Sequence, residues 1–152
     1  RLLPVDAVAQ EVFVRLHSVT PLTPLGEIRA DLISQFVSVR GSVLRVSAVR
    51  PLVVQMSFRC LSCLGEMQVE FEEGKYEPPS RCLATPRCRS RKFDALRETA
   101  RTVDWQKVRI QETAADALSP GRVPRTVEVE LAHDLVDGCV PGDVVCVAGT
   151  IK

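Results

Sequence analysis

The run FVSVRGSVLRVS, residues 36–47, alternates valine with polar residues at period two, the spacing of a strand with one face buried. Val37 and Val39 share a face, Gly41 intervenes, and Leu44 and Val46 continue in the opposite phase. A glycine at a phase flip predicts a bulge in a strongly curved strand, and such a strand suits a small closed barrel. Further along, Met67, Val69 and Phe71 alternate with Gln68, Glu70 and Glu72, and VDWQKVRI (103–110) reads as a strand with a change of phase. Val127, Val129 and Leu131 face inward while Glu128 and Glu130 face out, and DVVCVAGTI (143–151), after a Pro141-Gly142 turn, is apolar on both faces. Toward the N-terminus, 5–16 is ambiguous between helix and strand, and LGEIRADLI (25–33) places Leu25, Ile28 and Leu32 at helical spacing. About five to seven short strands with little helix after residue 35 make a mainly β barrel or sandwich with a further piece inserted in it.

A chain of 152 residues is one domain's worth. At 45% hydrophobic and a net charge of +1 it is not disordered as a whole, and with 5% aromatics its interior is expected to be β-branched. No stretch approaches the ~20 apolar residues of a membrane span, so no membrane partner is expected. RLLPVDAVAQ lacks the apolar centre and small-residue cleavage site of a signal peptide. Charge is unevenly spread. Arg81, Arg87, Arg89, Arg91 and Lys92 lie in a stretch without acids, whereas Glu128, Glu130, Asp134, Asp137 and Asp143 lie in one without Lys or Arg. The molecule is expected to be dipolar, with one face suited to polyanions.

The inserted piece begins at Cys60. Cys63 follows after two residues, Cys82 after eighteen more and Cys88 after another five. Two cysteine pairs separated by a strand-turn-strand segment are the arrangement of a zinc ribbon, with one structural Zn2+ on Cys60, Cys63, Cys82 and Cys88. Four thiolates close a tetrahedral shell and leave no open position for catalysis. About forty residues with few apolar side chains need such a staple, which supplies ~10–16 kcal/mol in small peptides. The alternatives are two disulfides or a redox pair; the latter wants a βαβ context that Cys60 lacks. The gap between Cys82 and Cys88 is wider than usual, and Pro86 is placed to turn it back. Cys139 and Cys146 read as buried thiols, Trp105 as core, and His17 and His133 as structural or surface residues.

There is no phosphate-binding GxxxxGK[ST] loop, no GxGxxG and no GxSxG elbow, so no catalytic function is expected of this chain. Five-stranded barrels of the oligonucleotide-binding (OB) type hold single strands in basic grooves. The candidate DNA contacts are Arg40 and Arg45 on the first barrel strand, Lys107 and Arg109 beside Trp105, Arg122 and Arg125 at a hairpin, and Arg89, Arg91 and Lys92 on the ribbon. With so few aromatics, tracking of the backbone is favoured over base stacking.

FVSVRGSVLRVSAVRP (36–51), the four-cysteine segment, DWQKVRIQE (104–112) and GRVPRTVEVELAHDLVDGCVPGDVV (121–145) resemble the N-terminal region of minichromosome maintenance (MCM) proteins, hexameric DNA helicases. The resemblance covers roughly residues 13–152. It implies an OB five-stranded barrel over 36–59 and 93–152, a zinc ribbon over 60–92, and a long β-hairpin over 113–126 that points into a ring channel. Residues 1–35 would be the remnant of a helical subdomain and the lead-in to the barrel. The run MSFRC…GKYEPPSRC…RKFDALR is most similar to the eighth branch of the family. That similarity implies recombination repair in the nucleus, a homo-hexamer or hetero-hexamer with the ninth branch, and single- or double-stranded DNA as ligand. It also implies an ATP-dependent motor domain outside this chain. The rival expectation is an assembly scaffold that never touches DNA.

Overall fold

The computed structural model describes residues 12–113 and 123–152. The reading of 5–16 falls mostly outside them, as do Arg122 and the 114–122 part of the expected hairpin.

Among the described residues, six strands carry most of the regular structure: β1 (Phe36–Val46), β2 (Arg50–Cys60), β3 (Glu66–Glu70), β4 (Phe93–Gln111), β5 (Thr126–Ala132) and β6 (Val144–Thr150). They form one antiparallel sheet in the order β3-β2-β4-β1-β6, with β5 pairing β4 off that path. The 19-residue β4 organises the molecule. Its first part runs beside β2, from Cys60↔Phe93 to Arg50↔Trp105, and its last part lies between β1 and β5. No pairing joins β5 to β6 among the described residues. The closed barrel expected from the curvature of β1 is therefore a half-barrel. The helical spacing over 25–33 resolves into two 3-10 turns, Leu25–Glu27 and Ala30–Leu32. Pro24 and the extended residues at Ile28 and Ile33 limit each to one turn. Among the described residues no helix is long and apolar enough to cross a membrane.

The phase flip in β1 sits three residues later than the sequence suggests. Val39, Gly41 and Val43 stay buried in one phase, and the bulge falls between Val43 and Arg45, which leaves Leu44 exposed. Gly41 has a different task. A Cβ there would lie 2.8 Å from the Gln111 carbonyl oxygen and 3.2 Å from the Ile110 Cβ, so the missing side chain is what lets β4 come close. Trp105 is half-buried rather than core. The inward phase of β4 takes Gln106, Val108 and Ile110, which turns Trp105, Lys107 and Arg109 outward. Buried Gln106 is satisfied on every side. Its amide nitrogen donates to the Ser47 carbonyl at 3.0 Å and to Asp137 at 2.8 Å, and its oxygen accepts from the Asp137 backbone N–H at 2.9 Å. Cys146 is exposed, because the outward face of β6 is not covered, while Cys139 is half-buried against the barrel core.

Two apolar clusters divide the interior. Leu25, Val39, Val43, Val108 and Ile110 centre the half-barrel, with the inward side chains of β5 and β6 around them. Met56, Phe58, Met67 and Phe71 centre the other, which also holds Cys60 and Cys82. The valine-rich interior belongs to the first. The second has aromatic edges, with Phe71 and Tyr76 ring centroids 5.4 Å apart.

Candidate metal centre and nucleic-acid interface

The far ends of β2 and β4 carry the cysteine cluster. Cys60 closes β2, and the chain turns through Leu61-Ser62-Cys63 with the Leu64 N–H bonded to the Cys60 carbonyl at 2.9 Å. The Cys60 N–H donates to the Gly65 carbonyl at 2.9 Å, so both sulfurs of this pair project from one tight knuckle. A Cβ on Gly65 would lie 2.7 Å from that of Ala84, which is how the two knuckles approach each other. The wide second gap folds up as its proline suggests. The Cys88 N–H donates to the Thr85 carbonyl at 3.0 Å across Pro86-Arg87, with proline at the turn position its fixed φ favours. Cys82 is tied to Ser90 by a backbone bond of 3.0 Å.

All four sulfurs lie within 4.8 Å of one another, with Cys60 to Cys88 and Cys63 to Cys82 both at 3.7 Å. A disulfide needs about 2.05 Å. Four sulfurs around a zinc ion at about 2.3 Å would stand ~3.8 Å apart at the corners of a tetrahedron. The cluster therefore fits a metal ion such as zinc and does not fit disulfides. Its electrostatics agree. The Cys63 backbone N–H draws the Cys60 thiol down to about 6, against burial. The Thr85 hydroxyl and then the Gly65 backbone lower Cys63. At Cys88 a backbone bond from Ser90 also favours the thiolate, but burial and the three neighbouring sulfurs push that thiol up to about 12. A site that readily makes some thiolates and resists the last is short of positive charge, and a divalent cation supplies it.

Three of the candidate DNA contacts among the described residues come together in one cleft. Arg45, Lys107 and Arg109 line a cleft of about 180 Å³ together with Ser47, Val108 and Glu128. Arg45 and Arg109 are cross-strand partners, and the Lys107 ammonium stands 5.5 Å from the Trp105 ring centroid. Arg40 lies elsewhere, opposite Cys146 in the β1–β6 pairing. The Arg125 N–H donates to a Glu112 carboxylate oxygen at 2.9 Å, near the described end of the β4–β5 hairpin. Arg89, Arg91 and Lys92 are exposed between the second knuckle and β4. None of these five lines the cleft.

Sequence reasoning missed Glu128 as part of this surface. In the β4–β5 register Lys107 faces Glu130 and Arg109 faces Glu128. Arg109 Nη2 donates to Glu128 at 2.6 Å, and Lys107 lies 3.6 Å from Glu128 and 3.7 Å from Glu130. The Arg109 hydrogen bond, with Lys107 behind it, holds the Glu128 carboxyl below its usual range. The alternation of 127–131 already put Glu128 and Glu130 outward; what the sequence lacked was the register that sets them opposite the cations.

Half-barrel, four-cysteine extension and basic cleft together define an OB-type domain that can carry a metal. The chain belongs to the MCM OB domain family, whose pattern matches residues 24–152. It is a close homologue of proteins named DNA helicase MCM8, being 47% identical over 145 residues to that of Rattus norvegicus and 45% over 145 residues to that of Homo sapiens. It is also 46% identical over 143 residues to a probable DNA helicase MCM8 of Arabidopsis thaliana, and each alignment covers 93% of this chain. The chain spans 17–18% of the length of these relatives.

Proposed function

We propose that this domain is a DNA-binding and ring-assembly collar of an MCM-type hexameric helicase, working in the nucleus in recombination repair. One structural Zn2+ is held by Cys60, Cys63, Cys82 and Cys88. Its role is to fix the two knuckles and so the outer end of the sheet; it leaves no position open for a reacting water. The DNA backbone is met by Arg45, Lys107 and Arg109 in the cleft. Further contacts come from Arg122 and Arg125 at the hairpin, from Arg40, and from Arg89, Arg91 and Lys92 on the ribbon. The ring is a homo-hexamer or a hetero-hexamer with the ninth branch of the family, and ATP hydrolysis belongs to a motor domain other than this one.

The observation that carries this reading is the cross-strand pair Arg45↔Arg109 with Lys107 beside it on an open face of the half-barrel. Adjacent like charges on neighbouring strands are unfavourable by themselves and become useful when a polyanion passes over them. The relatives' name, DNA helicase, agrees with it. Titration of labelled single- and double-stranded DNA at several salt concentrations, with the oligomeric state measured, tests it. Binding that falls steeply with salt is expected, since each phosphate neutralised contributes a slope of ~0.7 on single strands.

The second reading, a scaffold without DNA contact, is favoured by the ion pairs of Lys107 and Arg109 with Glu128, which already occupy two of the cations. It predicts assembled rings that bind no DNA.

A further inference from the structure

The placement of Glu128 bears on how such a cleft is used, and the inference rests on the DNA-contact reading above. We propose that the Glu128 carboxylate occupies the phosphate position of the cleft, so that a single strand binds by displacing it. Glu128 is thereby a built-in competitor that sets the affinity of this face for a phosphodiester.

Three observations lead there. The carboxylate bridges two cations, accepting from Arg109 at 2.6 Å through Oε1 and facing Lys107 at 3.6 Å through Oε2. One anion shared by a guanidinium and an ammonium is also the arrangement a phosphate takes up. Arg45, the cross-strand partner of Arg109, lines the same cleft, and no described carboxylate pairs with it. An incoming phosphate therefore gains a third cation that Glu128 does not use. Finally, the internal pairs are open to solvent, with side-chain exposures of 51% for Arg109, 49% for Glu128 and 43% for Lys107. Ion pairs so exposed are weak and exchange with solvent ions. Glu130, the other acid on this face, reaches Lys152 at 3.0 Å and does not line the cleft. The competitor is Glu128.

A strand that displaces Glu128 must break its contacts with Arg109 and Lys107, and the freed carboxylate stays nearby and repels the phosphate. Removing its charge while keeping its shape should strengthen binding, where a merely structural Glu128 would leave affinity unchanged or lower it by releasing Arg109. The test is fluorescence anisotropy of a labelled oligothymidine against the metal-loaded chain, its Glu128→Gln and Arg109→Gln variants and the double variant, over a salt series. Urea midpoints confirm that each variant folds, and Glu128→Ala serves if the glutamine form does not. The expected result is about two- to fivefold tighter binding by Glu128→Gln, a salt slope steeper by ~0.7, and loss of that gain in the Arg109→Gln background. Binding by Glu128→Gln alone, with the unchanged chain silent, also supports displacement. Equal or weaker binding by Glu128→Gln, with the unchanged chain binding normally, overturns the inference and leaves the DNA-contact reading standing. If neither protein binds, both fall.

Discussion

At Gly41 the half-barrel leaves no room for a side chain. The nearest obstacle is the Gln111 backbone carbonyl at 2.8 Å, with Ile110 behind it, and a backbone atom in a paired strand cannot step aside as a side-chain tip can. Gly41→Ala should therefore cost about 1–3 kcal/mol by forcing β1 and β4 apart. A lower urea midpoint would show it, and an unchanged midpoint would mean that the strands do not approach as described. The same scale marks where sequence reading stops. Period two picks out Val127, Val129 and Leu131 of β5 as inward, but in β1 it flips the phase at Gly41, three residues before the bulge, and so turns buried Val43 outward and exposed Leu44 inward. It could not see that buried Gln106, bonded to Ser47 and Asp137, would take a core position and turn Trp105 outward. Polar residues buried through partners distant in the chain leave no periodic trace. Cys146 escapes the same reading: DVVCVAGTI is apolar on both faces, and only the packing shows that Val145 and Val147 turn to the core while Cys146 points away from it and is exposed.

Among the elements, the long strand β4 joins two separate cores, with Phe93, Ala95 and Ala100 packed in one and Val108 and Ile110 in the other. The half-barrel is held by its own valine and isoleucine cluster, whereas the cysteines sit in the cluster around Met56 and Phe58. Metal at the four sulfurs should therefore govern one end of the sheet and leave the other standing. Cys60→Ser is expected to abolish stoichiometric zinc and raise amide hydrogen exchange over 60–92, while amides of β1 and β6 keep their protection. Loss of protection throughout would show a single cooperative unit; full zinc binding by the variant would remove Cys60 from the ligand set. The cysteine spacing alone pointed to a metal because few other arrangements use two such pairs. What it could not supply was how the longer gap closes, through the Thr85-to-Cys88 turn across Pro86.

Across the whole molecule, charge matters more in its arrangement than in its sum of +1. Basic residues collect on the ribbon between Arg81 and Lys92, and acids between Glu128 and Asp143. The fold folds part of that acidic stretch back onto the cations of β4, a juxtaposition set by the antiparallel β4–β5 register. This is why a basic strand could be read from the sequence and its counter-ions could not. The mainly β architecture and the cysteine cluster followed from local pattern; the binding face depends on which strands lie side by side. It is also the part of the account with the most to lose. The direct measurement is the salt dependence of single-strand affinity for the assembled chain and for its Arg45→Glu/Arg109→Glu variant, with unfolding midpoints matched. The account predicts a steep decline with salt for the unchanged chain, and for the variant a weaker affinity and a shallower slope. Identical affinity and slope for both would contradict it, and the domain would then be an assembly scaffold.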